Sequence, residues 1–128
     1  PTAGKLTVLD LLKKLEKSLK KLDSALYKKA DEFDGVIKIG RTQLEDAVPM
    51  RLGQSFHAYA TMIERDMDRI EKAKNEMYTV NMGATAIGTG INTSEYYFDH
   101  IVPTLAKVSG YPLVQADDLF DPYFQDVQ

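Results

Sequence analysis

KLTVLDLLKKLEKSLKKLDSALYKKADEF, residues 5–33, is the stretch on which the fold turns. Apolar side chains recur at Val8, Leu12, Leu15, Leu19, Leu22, Leu26 and Phe33, with Ala30 filling the last gap. Steps of four and three alternate along it, the heptad seam of helices that pack nearly side by side. Neither proline nor glycine interrupts the run. A helix of that span is roughly 40 Å long at about 1.5 Å per residue. Its eight lysines and five acids read as a solvated outer face rather than a nucleic-acid surface.

Working outward, Asp34-Gly35 breaks the helix, because glycine tolerates the left-handed conformation in which helices end. Val36 to Ile39 is short, apolar and partly β-branched, so an extended segment is expected. Gly40 to Pro49 then reads as a loop. Asp46 is expected to cap a second helix, and Pro49 is acceptable in its first turn, where a missing N–H loses nothing. That helix is expected over about 49–80, with a seam at Phe56, Ala60, Ile63, Met67, Ile70 and Met77 and with Tyr59 and Ala73 alongside. Gly53 in its early turns would let another backbone approach. The methionines are core filler.

A third helix is expected over about 94–108. Thr93 or Ser94 caps it, Ser109-Gly110 stops it, Tyr97, Ile101, Leu105 and Val108 give it an apolar face, and Pro103 is a candidate kink. The short connection between the two long helices implies antiparallel packing. The fold class is all-α, a single segment of a helical domain built from long antiparallel helices.

Composition narrows the function. There is no cysteine, which excludes disulfides, zinc-thiolate sites and cysteine nucleophiles. A net charge of −3 argues against a nucleic-acid partner. No apolar run approaches the ~20 residues of a membrane span, and no signal peptide is visible, so a cytoplasmic location is the default. His57 has no second ligand at metal-binding spacing, and no metal site is expected. The chain opens Pro1-Thr2-Ala3-Gly4 and closes without a finishing element, so it is expected to be a segment of something longer, truncated at both ends.

Two segments carry chemistry. Gly40-Arg41-Thr42-Gln43-Leu44-Glu45-Asp46-Ala47-Val48-Pro49 packs a guanidinium, a hydroxyl, a carboxamide and two carboxylates between rigid helices, which suits the capture of a small anion. Met82 to Thr93 is glycine-rich, but no Gly-Lys-Ser/Thr ends it and a helix rather than a strand is expected before it. That excludes both a P-loop and a dinucleotide fingerprint. Such a run either lets helices or subunits approach closely or positions backbone amides near a carboxylate.

The first segment closely resembles the central signature of the aspartase/fumarase superfamily. The second, from Gly88 to Thr93, is similar to the same superfamily's Gly-Thr-Gly-Leu/Ile-Asn-Thr run. The two stand in the family's order and spacing, and the likeness extends to about Asp121. Gln43 stands where fumarases typically carry histidine, and Ala84 where they usually have a second glycine, which favours the aspartase branch over the fumarase one. The tail after Asp121 departs from the family pattern, and no function is read from residues 122–128.

The resemblance implies reversible loss of ammonia from L-aspartate to give fumarate, with no cofactor. A base takes the proton beside the distal carboxylate, and charge building on that carboxylate must be stabilised. Thr42 and Gln43 fit as substrate-binding donors that do not titrate. Arg41, Gly88, Thr89 and Asn92 are possible supporting residues, although Arg41 is at least as well explained by an ion pair with Glu45 or Asp46. The family's catalytic serine loop has no counterpart here, so no catalytic residue is assigned and the segment alone is expected to be inactive. Family sites are assembled from three subunits of a homotetramer, and a homo-oligomer is implied. Two alternatives stay open: fumarate hydration by a related lyase, and a non-catalytic helical oligomerisation module.

Overall fold

The computed structural model describes residues 1–121; the tail reading for 122–128 lies outside them. Three helices dominate: α1 (Thr2–Glu32), α2 (Leu52–Met77) and α3 (Glu95–Ser109). Four strands accompany them. β1 (Ile37–Thr42) and β2 (Glu45–Arg51) form an antiparallel hairpin, while β3 (Thr79–Val80) and β4 (Val114–Gln115) form a short parallel pair. The chain divides into two compact units, one of residues 13–70 and one of residues 1–12 with those from Glu71 onward.

Within the first unit, the α1 and α2 segments run antiparallel, as the short connection requires. Phe33 meets Phe56 with ring centroids 5.2 Å apart, Tyr27 meets His57 at 5.4 Å, and the Tyr27 hydroxyl donates to Glu64 Oε1 at 3.0 Å. Partners descending α1 thus ascend α2. The expected α2 seam is realised: Ala60 is wholly buried, and Phe56, Ile63, Met67 and Ile70 are half-buried. The α1 seam is realised only in part. Leu12, Leu19, Leu26 and Phe33 are half-buried and Ala30 is buried, but Val8, Leu15 and Leu22 are exposed, as is Leu11. A heptad stripe is wider than the line one neighbouring helix covers.

In the second unit, Val80, Val102 and Leu113 form a buried cluster against which Leu6, Tyr78, Met82, Ile101, Leu105 and Tyr111 pack. The first turns of α1 are tied into it. Thr2 Oγ1 donates to Asn81 Oδ1 (3.2 Å), Lys5 Nζ donates to the Thr79 carbonyl (2.8 Å), and the Tyr111 hydroxyl donates to Asp10 Oδ1 (2.7 Å). These anchors account for α1 starting at Thr2 rather than near Lys5.

The boundaries of α3 match the expected signals. Ser94 caps it, accepting from the Tyr97 N–H at 3.2 Å, and Gly110 ends it in the left-handed region at φ 73°. Its buried face matches expectation in part: Ile101 and Leu105 pack against the cluster, but Val102 is the most buried position, Val108 is 79% exposed and Tyr97 is exposed as well. The stop after α1 differs too. The helix ends near Gly35, but Gly35 is not among the left-handed residues, so the break is a turn through Phe33–Gly35 rather than a left-handed cap.

Candidate functional site

The largest departure from expectation lies at the signature segment, which is a hairpin and not a loop. Ile37 pairs with Arg51, Lys38 with Met50 and Ile39 with Pro49; after a bulge in which Ala47 and Val48 of β2 stand opposite the single residue Gly40, Arg41 pairs with Asp46 and Thr42 with Glu45. Gly40 is buried, and a Cβ there would meet the Val48 carbonyl oxygen at 2.9 Å, so the position facing the bulge favours glycine. Pro49 lies within β2 and is tolerated because the ribbon has only two strands, where a missing N–H breaks no central ladder. Asp46 is therefore not a helix cap, and α2 begins at Leu52 rather than Pro49. Gln54 takes the capping role by accepting from the Arg51 N–H at 3.0 Å.

The hairpin's base is fixed to the helix ends of its own unit. The Leu52 N–H donates to Val36 (2.8 Å), the Gly53 N–H donates to Phe33 (3.0 Å), and Arg51 Nη1 donates to Asp34 Oδ2 (3.1 Å). Its tip is a two-residue turn, Gln43-Leu44, with φ of 48° and 71°. Positive φ at both central positions is the type I′ pattern that matches strand twist. Neither residue is the glycine or asparagine such turns favour, and each pays about 1–2 kcal/mol for a left-handed backbone. Leu44 is 96% exposed.

Thr42 and Gln43 are thus adjacent at the tip and exposed, offering a hydroxyl and a carboxamide. Arg41 Nε donates to Asp46 Oδ1 at 3.1 Å, which realises the ion-pair reading of Arg41. Both side chains are solvated, so the pair is worth no more than about 1 kcal/mol.

Gly88, Thr89 and Asn92 belong to the other unit, in the glycine-rich segment between β3 and α3. Five residues of that segment have positive φ: Gly83, Thr85, Gly88, Gly90 and Asn92. The N–H groups of Gly88 and Gly90 both donate to the Ala84 carbonyl, at 3.2 and 3.0 Å. Those amides are engaged within the loop. The glycines serve close packing instead: a Cβ on Gly88 would meet the Phe120 ring at 3.0 Å, and one on Gly83 would meet Ile101 and Gln115. Thr89 and Asn92 are exposed. Sequence reading missed Asn81, a buried carboxamide that accepts from Thr2 and lines a cavity of about 370 Å³ with Met82, Gly83 and Thr85. Its place just ahead of the glycine-rich run was the available signal.

A family model described as Lyase matches residues 1–125. The chain belongs to this lyase family, the aspartase/fumarase superfamily. It is 52% identical over 121 residues to the aspartate ammonia-lyase of Bacillus subtilis strain 168, covering 94% of this chain and 26% of that protein. Against the aspartate ammonia-lyase of Escherichia coli K12 the identity is 42%, covering 94% and 25%. Among solved structures, a fumarate lyase:delta crystallin from Brucella melitensis, bound to cobalt, superposes with a TM-score of 0.91 at 41% identity, over 94% of this chain and 26% of that one. The class II fumarase of Schistosoma mansoni gives 0.75 at 29%, over 82% and 25%. The chain spans about a quarter of the length of the relatives it matches. Its long helices are those of the superfamily fold.

Proposed function

We propose that this lyase segment belongs to an aspartate ammonia-lyase, which eliminates ammonia from L-aspartate reversibly to give fumarate. The observation that carries the reading is the hairpin tip, where Thr42 and Gln43 stand side by side on a backbone pinned at both ends. The difficult step is removal of a weakly acidic proton beside a carboxylate, which throws negative charge onto that carboxylate. A hydroxyl and a carboxamide donate to its oxygens at every pH at which the enzyme works, because neither titrates. Donors placed where charge develops lower the barrier by more than they tighten ground-state binding. The base and the remaining substrate contacts come from chain outside these 128 residues, so the segment by itself is inactive.

A cytoplasmic homotetramer fits the same reading. No helix among the described residues is long and apolar enough to cross a membrane. Val8, Leu11, Leu15 and Leu22 are exposed on α1, and Ile37 and Val48 are exposed on the hairpin. Apolar surface of this kind supports association. The likeness to a class II fumarase favours one second reading, fumarate hydration, which malate as substrate would reveal.

The test is Thr42→Val and Gln43→Ala in the intact enzyme. Each should lower kcat/KM by about a hundredfold, the usual cost of a lost charge-stabilising donor, with the oligomer unchanged on gel filtration. Full turnover in both variants would leave the helical segment with only a structural, oligomerising role.

A further inference from the structure

We propose that Arg41 and Asp46 are positioning residues whose ion pair holds the Thr42–Gln43 tip in its left-handed turn, and that Arg41 is not itself a ligand of the substrate. The proposal rests on the function argued above and names a device behind it. Three observations converge. Only two register pairs, Arg41–Asp46 and Thr42–Glu45, separate the bulge opposite Gly40 from the turn. The turn residues, Gln43 and Leu44, both sit at positive φ without being glycine or asparagine, so their own preferences oppose the conformation. The Arg41 Nε–Asp46 Oδ1 bond, at 3.1 Å, spans the two strands one pair below the turn. An oppositely charged cross-strand pair at that position favours the closed hairpin over an open one. It keeps the Gln43 carboxamide on one fixed backbone, where a misplaced donor would stabilise little.

A clamp and a substrate ligand make opposite electrostatic predictions. If Arg41 bound a substrate carboxylate, removing it would weaken dicarboxylate binding, while removing the neighbouring anion Asp46 would strengthen it. If the two act as a clamp, both removals impair the same way, and exchanging the charges restores function.

The experiment uses the intact lyase and three variants: Arg41→Gln, Asp46→Asn, and the double exchange of Arg41→Asp with Asp46→Arg. Each is assayed for kcat and KM with L-aspartate, and hydrogen exchange of the hairpin peptide is followed by mass spectrometry. Both single variants should lose about two- to fivefold in kcat, the population shift an exposed pair can supply, and hairpin exchange should accelerate by a similar factor. The double exchange should bring both back to within about twofold of wild type, since a restored cross-strand pair restores the closed hairpin. The proposal is overturned if KM moves in opposite directions in the single variants. It is equally overturned if the double exchange restores hairpin protection but stays as slow as Arg41→Gln, or if neither single variant changes hairpin exchange. Wild-type protein inert toward aspartate would defeat the functional reading instead, and hydrogen exchange alone would then decide whether the clamp exists.

Discussion

Gly53 of α2 lies directly against the carbonyl oxygen of Ala30 in α1, with the Asp34 backbone beside it. A Cβ at Gly53 would stand 2.9 Å from Asp34 Cα and closer still to the Ala30 oxygen. This approach lets the Gly53 N–H donate to Phe33 and brings Phe33 against Phe56. Backbone surrounds the site, so no flexible side chain can move aside.

Gly53→Ala should therefore destabilise the fold although alanine is the better helix former. Overpacking costs about 1–3 kcal/mol, and the upper half of that range is expected here against a helix-propensity gain of about 1 kcal/mol. Urea unfolding monitored by helical circular dichroism checks it. An unchanged or higher midpoint would contradict the close packing.

Leu44→Gly should behave in the opposite sense. Leu44 is almost wholly solvated at φ 71°, so removing its side chain loses little burial and relieves a strained backbone. Relief of about 1–2 kcal/mol outweighs the extra chain entropy of glycine, about 0.5–1 kcal/mol. A rise in the unfolding midpoint of the intact protein is expected. A clear fall would mean that Leu44 is packed against another surface.

Tyr27 sets a pH expectation. Its hydroxyl donates to Glu64 Oε1, and ionisation would break that bond and place two anions together, so its pKa is raised above the ordinary value near 10; burial and the charges of Glu64 and Asp23 push the same way. A raised folded-state value means the contribution is present below the unfolded pKa and is lost only as pH climbs through the higher folded one. Stability should thus be indifferent to this group near neutrality and fall in the alkaline range. The wild-type-minus-Tyr27→Phe ultraviolet titration should show a phenol ionising later than an exposed tyrosine. A midpoint at or below the ordinary value would contradict the Glu64 bond.

Much of the helical layer was legible because its signals are local and repeated. The spacing from Val8 to Phe33 and from Phe56 to Met77 marked the long helices, and Ser94 and Gly110 marked both ends of α3. Of the hairpin, only the extended stretch around Val36–Ile39 was legible. Its turn uses Gln43-Leu44 where a type I′ turn favours Asn-Gly, and Asp46 followed by Pro49 imitates a helix start. Only long-range pairing with residues 37–42 overrides that local signal. Arg41, Thr42 and Gln43 stand together because they are consecutive in sequence, whereas the Arg41–Asp46 partnership depends on strand register. Glycine content marked residues 82–93 as special without revealing that the Gly88 and Gly90 amides turn inward to Ala84. Exposure of Val8, Leu15 and Leu22 was equally hidden, because a heptad states which residues are apolar and not how many neighbours cover them.

The most direct test is the ultraviolet appearance of fumarate from L-aspartate, with the intact enzyme and these 128 residues assayed side by side and L-malate as a second substrate. Fumarate is expected from aspartate with the intact enzyme and not with the 128 residues alone, and malate should not turn over. An intact enzyme that leaves aspartate untouched, or that works on malate instead, would contradict it.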